Sequence, residues 1–306
     1  MELRQLHTLI ALINNDFSVT HTAEKQFLVQ SAVSQQLKRL EKELGGELFI
    51  RKGKRLTGLT EFGRLVEQQA LDVIHSVKNI HRLAQDEQLM REGVLRIGCT
   101  HTQARYILPP VISRFYQQYP DVELQMHQGT PQQLVEWAIN DTVDFSICTE
   151  ELAQSDKLES IPCYRWNRCL ITLAGHPLLK IKHPQLHHLC DYPIITYGMG
   201  FTGRKSLDES FHRAQLEPGI VLSAADTDII KTYVRDGLGI GIIASMAFNK
   251  SLDKTLRFKD LSELFPWEIS RIAWLKNKYL RRHQQAFIDM FLETIRNDNS
   301  PRLVAL

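Results

Sequence analysis

The chain holds 306 residues, 43% of them apolar and 24% charged, with 16 glycines and 11 prolines. This is ordinary globular composition in a length suited to two or three domains, and it excludes a disordered chain, a collagen and a repeat fibre. The 37 Lys/Arg and 35 Asp/Glu look balanced, yet residues 1–60 carry nine of those cations against six acids, and the remainder is nearly even. A small basic head on a neutral body leaves room for a polyanion partner.

No apolar run approaches the ~18 residues of a membrane span, and Met1-Glu2-Leu3-Arg4 opens no signal-peptide core. The five cysteines are odd in number and lack C-x-x-C spacing. A cytoplasmic protein with reduced thiols and no membrane partner is expected.

Leu3, Leu6, Ile10 and Ile13, with Leu9 alongside, predict a first amphipathic helix. Asn14-Asn15-Asp16 stops it, and Ser18 can cap a short second helix over Val19–Gln26. Val33, Leu37, Leu40 and Leu44 form the apolar stripe of a third helix, from about Gln30 to Leu44, which Gly45-Gly46 ends. Its other face carries Gln30, Ser34, Gln35 and Lys38, polar side chains able to reach base edges and phosphates when a helix N-terminus enters a major groove. Two short arms, Leu48–Arg51 and Leu56–Leu59, then flank Arg51-Lys52-Gly53-Lys54-Arg55 as a cationic hairpin, suited to phosphates beside the groove. The plainer alternative is a small helical domain with a solvated face. The order of tight turn, polar helix and basic hairpin favours a winged helix-turn-helix over residues 1–59.

From Thr60 the spacing predicts a long amphipathic helix to about Gln88, with Phe62, Leu65, Val66, Ala70, Val73, Ile74, Val77, Ile80 and Leu83 on its stripe. Such a helix spans roughly 40 Å. It is expected to pair with a second copy, which sets two reading heads on two half-sites; packing on its own C-terminal body is the alternative.

At Gly93 the rhythm changes to strands alternating with helices. Strands are predicted at Val94–Cys99, Val122–Met126, Val143–Cys148, Cys169–Leu173, Ile194–Tyr197, Ile220–Ala224, Gly239–Ile243 and Ile272–Leu275. Helices are predicted at Arg105–Tyr119, Pro131–Ile139, Leu207–Ala214, Ile229–Asp236 and Arg281–Arg296. The pattern implies an α/β body over residues 89–306 with mostly parallel sheets, long enough for two subdomains with a ligand cleft between them. Thr100, Thr102, Gln103, Thr149 and Thr202 stand at strand ends or helix starts, where open α/β sheets bind ligands and helix N-termini favour small anions. Each threonine alone reads equally as a helix cap.

Gly198-Met199-Gly200-Phe201-Thr202-Gly203 fits G-x-G-x-x-G, and Asp226 is a candidate ribose acid, so an NAD(P)-dependent enzyme using Gly198, Gly200 and Gly203 is the alternative function. The acid lies later than the usual spacing, and Gly237-Leu238-Gly239-Ile240-Gly241 reads as a turn into a strand. No H-x-x-x-H falls on a plausible helix, His187-His188 fall in a polar loop, and no nucleophile elbow or P-loop occurs. No enzyme, metal or cofactor is expected.

Head, linker and body together resemble the LysR-type transcriptional regulators. Phe27-Leu28-Val29-Gln30-Ser31-Ala32-Val33-Ser34-Gln35-Gln36-Leu37 resembles the family's turn and recognition helix, and Leu44-Gly45-Gly46-Glu47-Leu48-Phe49 through Leu59-Thr60 its wing. The resemblance adds Ser31 to the DNA-binding set of Gln30, Ser34, Gln35, Lys38, Lys52, Lys54 and Arg55. Gln35 stands where the family has a basic residue, so that phosphate or guanine contact does not carry over.

Within the family the body resembles the CysB type, regulators of sulfur assimilation and cysteine biosynthesis. The segments Thr100–Tyr106, Met126–Pro131, Cys163–Arg168, Gly200–Arg204 and Asp228–Arg235 carry that likeness. It implies a periplasmic-binding-protein-like effector domain in which Thr100, Thr102, Gln103, Thr149, Trp166 and Thr202 surround a small anion: sulfate, thiosulfate, O-acetylserine or N-acetylserine. It also implies a transcriptional activator, homodimeric through the linker helix and tetrameric overall, with promoter DNA and RNA polymerase as partners. A sulfate- or sulfonate-starvation regulator of the same family is the sibling reading.

Overall fold

A computed structural model describes residues 1–53, 55–88, 93–149, 151–201, 203–297 and 303–305. Two expected contact residues, Lys54 and Thr202, lie outside the described residues. The chain divides into two units, Met1–Gln88 and Leu89–Leu306.

The first unit is built from α1 (Leu3–Ile13), α2 (Val19–Lys25), α3 (Gln30–Leu44), the hairpin β1 (Phe49–Lys52) and β2 (Arg55–Leu59), and α4 (Glu61–Gln88). Ser18 Oγ caps α2 by accepting the His21 N–H at 3.3 Å. Gly45, at φ 70°, ends α3 in the left-handed conformation that glycine adopts without a steric penalty. Leu6, Leu9 and Leu12 of α1 pack with Val33, Leu37 and Leu40 of α3. The buried face of α1 is therefore turned from the expected one, since Leu3 is exposed and Leu12 fully buried. Thr8 adds a polar tie, its hydroxyl donating to Gln36 Oε1 at 2.5 Å across to α3.

The single stripe expected on α4 separates into two. Val66, Ala70 and Ile74 close the bottom of the head's core, whereas Leu65, Val73, Ile80 and Leu83 remain exposed.

The second unit contains two mixed sheets. One has the order β13-β6-β12-β5-β3-β4, from β3 (Gly93–Cys99), β4 (Val122–Gln128), β5 (Phe145–Thr149), β6 (Leu158–Trp166), β12 (Glu268–Leu275) and β13 (Leu303–Ala305). The other has the order β11-β7-β10-β8-β9, from β7 (Arg168–Leu173), β8 (Ile194–Tyr197), β9 (Ile220–Ala224), β10 (Ile240–Ala244) and β11 (Leu256–Asp260). Helices α5 (Leu108–Gln118), α6 (Pro131–Ile139) and α10 (Arg282–Arg296) serve the first sheet, and α8 (Arg204–Arg213) and α9 (Thr227–Arg235) the second.

The sheets are not mostly parallel. Five of the nine described strand pairings within them are antiparallel. The reason is the path of the chain, which crosses to the second sheet after β6 and returns before β12, so that returning strands run against the β-α-β units they close. The pair His187-His188 lies not in a loop but in a short helix, α7 (Leu186–Cys190). Ahead of α5 the backbone widens into a π-helical turn, Gln103–Ile107.

Gly63, in the first turn of α4, sits directly under the chain leaving α3: a β-carbon there would collide with the Leu48 carbonyl oxygen. Gly63→Ala is expected to destabilise the head by roughly 1–3 kcal/mol, read as a lowered thermal unfolding midpoint of the full chain. An unchanged midpoint would show that this approach is not tight.

Candidate functional site

Strands β3, β6, β8 and β10 bring their carboxyl ends to one place in the second unit, the position at which open α/β sheets hold ligands. Thr100, Thr102, Gln103 and Trp166 from the first sheet meet Tyr197, Ala244 and Met246 from the second around a cavity of about 10 Å³. That is room for one water. Thr100 follows β3 and its carbonyl accepts the Ala104 N–H at 3.1 Å, so the cavity faces the start of a helix.

Two groups in this wall stand out chemically. Thr100 Oγ1 and Gln103 Oε1 are buried and have no hydrogen-bond partner among the described residues. Buried polar atoms are nearly always satisfied, and an orphaned pair lining one cavity is what a bound polar ligand would complete. Turning the Gln103 amide over presents its NH2 instead of its oxygen, which suits an anion.

Thr149 does not border the cavity. Its hydroxyl accepts the Trp166 indole N–H at 3.1 Å and lies 3.1 Å from Ser270 Oγ, which fixes the ring that forms the cavity wall. Tyr197 is held by Thr227 Oγ1 at 2.7 Å and by the Ala244 N–H at 3.2 Å. The sequence reading missed Tyr197, Ala244 and Met246, although the ends of β8 and β10 were the available signal.

It also missed a buried cation. Arg168 lies against Trp166, 5.6 Å from the ring centre, and its guanidinium binds Glu268 at 2.7 Å, Ser206 Oγ at 2.6 Å and the Gly203 carbonyl at 2.6 Å. The glycine motif thereby acquires a different use. The carbonyl of its last glycine is an arginine acceptor, and Asp226, the candidate ribose acid, caps α9 by accepting the Ile229 N–H at 2.8 Å.

A second polar cluster joins the two lobes beside this cleft. Tyr106 donates to Asp228 Oδ1 at 2.8 Å, and Arg105 pairs with Asp228 Oδ2 at 2.9 Å. Burial works against ionising Asp228, but the Tyr106 hydroxyl, Arg105, Lys231 and His101 outweigh it and hold the carboxyl below the usual carboxylate range.

In the first unit, Gln30, Ser31, Gln35 and Lys38 are exposed on α3 and Ser34 is half-buried. Gln30 Nε2 donates to Thr20 Oγ1 of α2 at 3.0 Å. Lys52 and Arg55 are exposed at the hairpin tip around Gly53, at φ 63°. Arg51 is tied back to Glu41 at 2.6 Å.

Comparison with known proteins decides the family. Residues 3–64 match the family described as bacterial regulatory helix-turn-helix protein, lysR family, and residues 90–296 match the LysR substrate binding domain. The chain belongs to the LysR family. It is 41% identical over 291 residues to the HTH-type transcriptional regulator CysB of Haemophilus influenzae, covering 95% of this chain and 90% of that protein. It is 39% identical to the regulator SsuR of Burkholderia cenocepacia, covering 95% and 94%, and 38% identical to the regulator cbl of Escherichia coli K12, covering 96% and 92%.

The cofactor-binding domain of the Cbl transcriptional regulator superposes with a TM-score of 0.62 at 38% identity, over 65% of this chain and 87% of that one. A full-length OxyR variant of Pseudomonas aeruginosa superposes with a TM-score of 0.64 over 97% and 98%, at 20% identity, and shares the fold. This LysR-family chain is thus a DNA-binding transcriptional regulator with a winged helix-turn-helix and an α/β effector-binding domain. No helix among its described residues is long and apolar enough to cross a membrane.

Burial pushes the Cys99 and Cys163 thiols up to about 12. The unfolded chain ionises them near pH ~8.5, so their contribution is whole below that pH and is lost as pH rises toward 12. The unfolding free energy from urea titration is expected to fall between pH 8 and pH 10, by up to about 1.4 kcal/mol per pH unit for each thiol. The fall should be shallower in Cys99→Ala; an equal slope in that variant would contradict the assignment.

Proposed function

We propose that this regulator controls genes of sulfur assimilation and cysteine biosynthesis and is switched by a small anion in the cleft between its α/β lobes. The candidate effectors are N-acetylserine, sulfate and thiosulfate, and O-acetylserine through its carboxylate. The reading is carried by the buried, unpartnered Thr100 Oγ1 and Gln103 Oε1 atoms at a helix start, where strand ends from both lobes converge. The relatives named CysB, SsuR and cbl support the pathway. Their nearly equal identities make a sulfate- or sulfonate-starvation regulator the second reading.

The donors are neutral hydroxyls and an amide together with a helix N-terminus, and the nearby Arg168 charge is matched by Glu268. Such a site holds an anion by dipoles rather than by a salt bridge. An anion larger than water opens the cavity by moving Met246, whose unbranched side chain yields readily. Thr149 acts through Trp166, and Thr202 completes the expected set. Effector binding changes the lobe arrangement and, through α4, the spacing of two heads on bent promoter DNA. The exposed Leu65, Val73, Ile80 and Leu83 are the surface through which α4 meets a second copy; the working form is a tetramer in the cytoplasm that engages RNA polymerase as an activator.

Thr100→Ala and Thr102→Ala should weaken the thermal shift produced by these four metabolites at least tenfold in apparent affinity, while promoter binding stays intact. Full effector response in both variants would remove the pocket assignment.

Lys52→Ala or Arg55→Ala should weaken binding to every duplex alike and flatten the log–log salt dependence by about one unit per lost phosphate contact. A sequence-selective loss would contradict that role. Leu65→Glu with Ile80→Glu should shift the sedimenting species toward the monomer, and an unchanged oligomer would place the dimer contact elsewhere.

A further inference from the structure

Two spaces in the effector domain meet at Met246. One is the closed cavity of about 10 Å³ bordered by Thr100 and Gln103. The other is an open groove of about 790 Å³ between the lobes, lined by Arg105, Tyr106, Asp228 and Lys231 as well as by Met246. Sulfate, thiosulfate and an acetylserine are all larger than the one water the cavity has room for, so the site must widen before it fills. Met246 belongs to both walls, which makes the groove the side from which an anion arrives.

That side is tied shut. Tyr106, carried by the first lobe, sets its ring on the apolar core of the second, which includes Tyr197 and Phe248. Its hydroxyl donates to Asp228 Oδ1 at 2.8 Å and accepts from Lys231 Nζ at 3.2 Å, both on α9. The Lys231 ammonium also lies 4.9 Å from the ring centre. Lys231 is anchored in its own lobe, to the Ala247 carbonyl at 2.6 Å and to Asp253 at 2.8 Å. A fixed post in one lobe thus grips a turn of the other. Gln103 of the cavity and Tyr106 of the groove share that π-helical turn, which the Leu108 N–H closes on the Gln103 carbonyl. Widened turns of this kind recur at functional sites. A contact made in the narrow state and lost in the wide one lowers the open fraction, and the apparent affinity falls with it.

We propose that Tyr106 and Asp228 are positioning residues of the effector site: their hydrogen bond holds the lobes in the narrow state, and an anion passes Met246 only as that bond parts. The latch sets the effector concentration at which the regulator responds, without touching the effector. The inference rests on the effector-site reading proposed above and names what opposes the filling of that site.

The test titrates the full chain with sulfate, thiosulfate and N-acetylserine by calorimetry, and follows association by stopped-flow tryptophan fluorescence. Tyr106→Phe keeps the ring and removes the hydroxyl. It strands neither partner, because Asp228 retains Arg105 at 2.9 Å and Lys231 retains Asp253. This variant is expected to bind the anions about threefold to tenfold more tightly than the wild type, chiefly through faster association, with at most a slight fall in Tm. Asp228→Ala should act in the same direction. The double variant should gain no more than the better single one, since both changes remove the same contact. General loosening of the fold would lower the Tm and weaken binding together, so tighter binding separates a latch from a structural role. Unchanged or weaker binding in both variants would overturn the proposal, as would a double variant showing the full sum of the two gains. A wild-type protein that gives neither heat nor a fluorescence change with any of these anions would instead defeat the effector reading, and the latch with it.

Discussion

The two chain crossings between the lobes of the effector domain meet at one buried ion pair. Arg168 opens β7 in one sheet and Glu268 opens β12 in the other, and they meet at 2.7 Å with almost no exposure. A buried pair of this kind is weak evidence of net stability, because two desolvations offset the attraction. Losing one partner would nevertheless strand a charge, at a cost of about 3–5 kcal/mol. The pair thereby ties the outgoing crossing to the returning one. The residue before the arginine strengthens the joint: the Asn167 amide donates to the Phe265 carbonyl at 3.0 Å on the returning crossing, and its own carbonyl accepts the Ser245 N–H at 2.8 Å.

The same arginine links that joint to the cleft. It lies against Trp166 on one side and binds the start of α8 on the other, through Ser206 and the Gly203 carbonyl. A β-carbon at residue 203 would press on Arg168 Nη2 at 2.8 Å, so a glycine is needed there for space as well as for its φ of 81°. Because the guanidinium charge is matched locally, the cavity itself stays a site of dipoles. A small anion of the kind proposed would therefore meet hydroxyl, amide and helix dipoles there rather than an unmatched charge.

Local patterns in the sequence were legible where local forces decide. Pro131–Ile139, Ile194–Tyr197 and Ile220–Ala224 form the predicted elements with the predicted ends, since caps, turns and apolar runs act over a few residues. Strand β6 was not foreseen because Pro162 interrupts it and its burial does not alternate cleanly, and β11 because Arg257, Lys259 and Asp260 make it look like a loop. The division of the α4 stripe depends on which side α1 occupies, a tertiary fact. Of the cavity wall, the threonines and Gln103 could be read from strand ends. Tyr197, Ala244 and Met246 come from the opposite lobe, and Arg168 and Glu268 are separated by 100 residues. No local signal joins such distant positions.

The second lobe begins and ends at the same spot. Strands β7 and β11 lie side by side, with Cys169 opposite Asp260, and the Leu261 N–H returns to the Arg168 carbonyl at 3.2 Å. Residues 168–260 are therefore a cassette spliced into the first lobe at two adjacent seams, the arrangement that tolerates insertion and exchange of whole modules. Evolution can recombine such a cassette between paralogues, altering half of the ligand-facing wall in one event while the operator-facing half of the protein is inherited untouched.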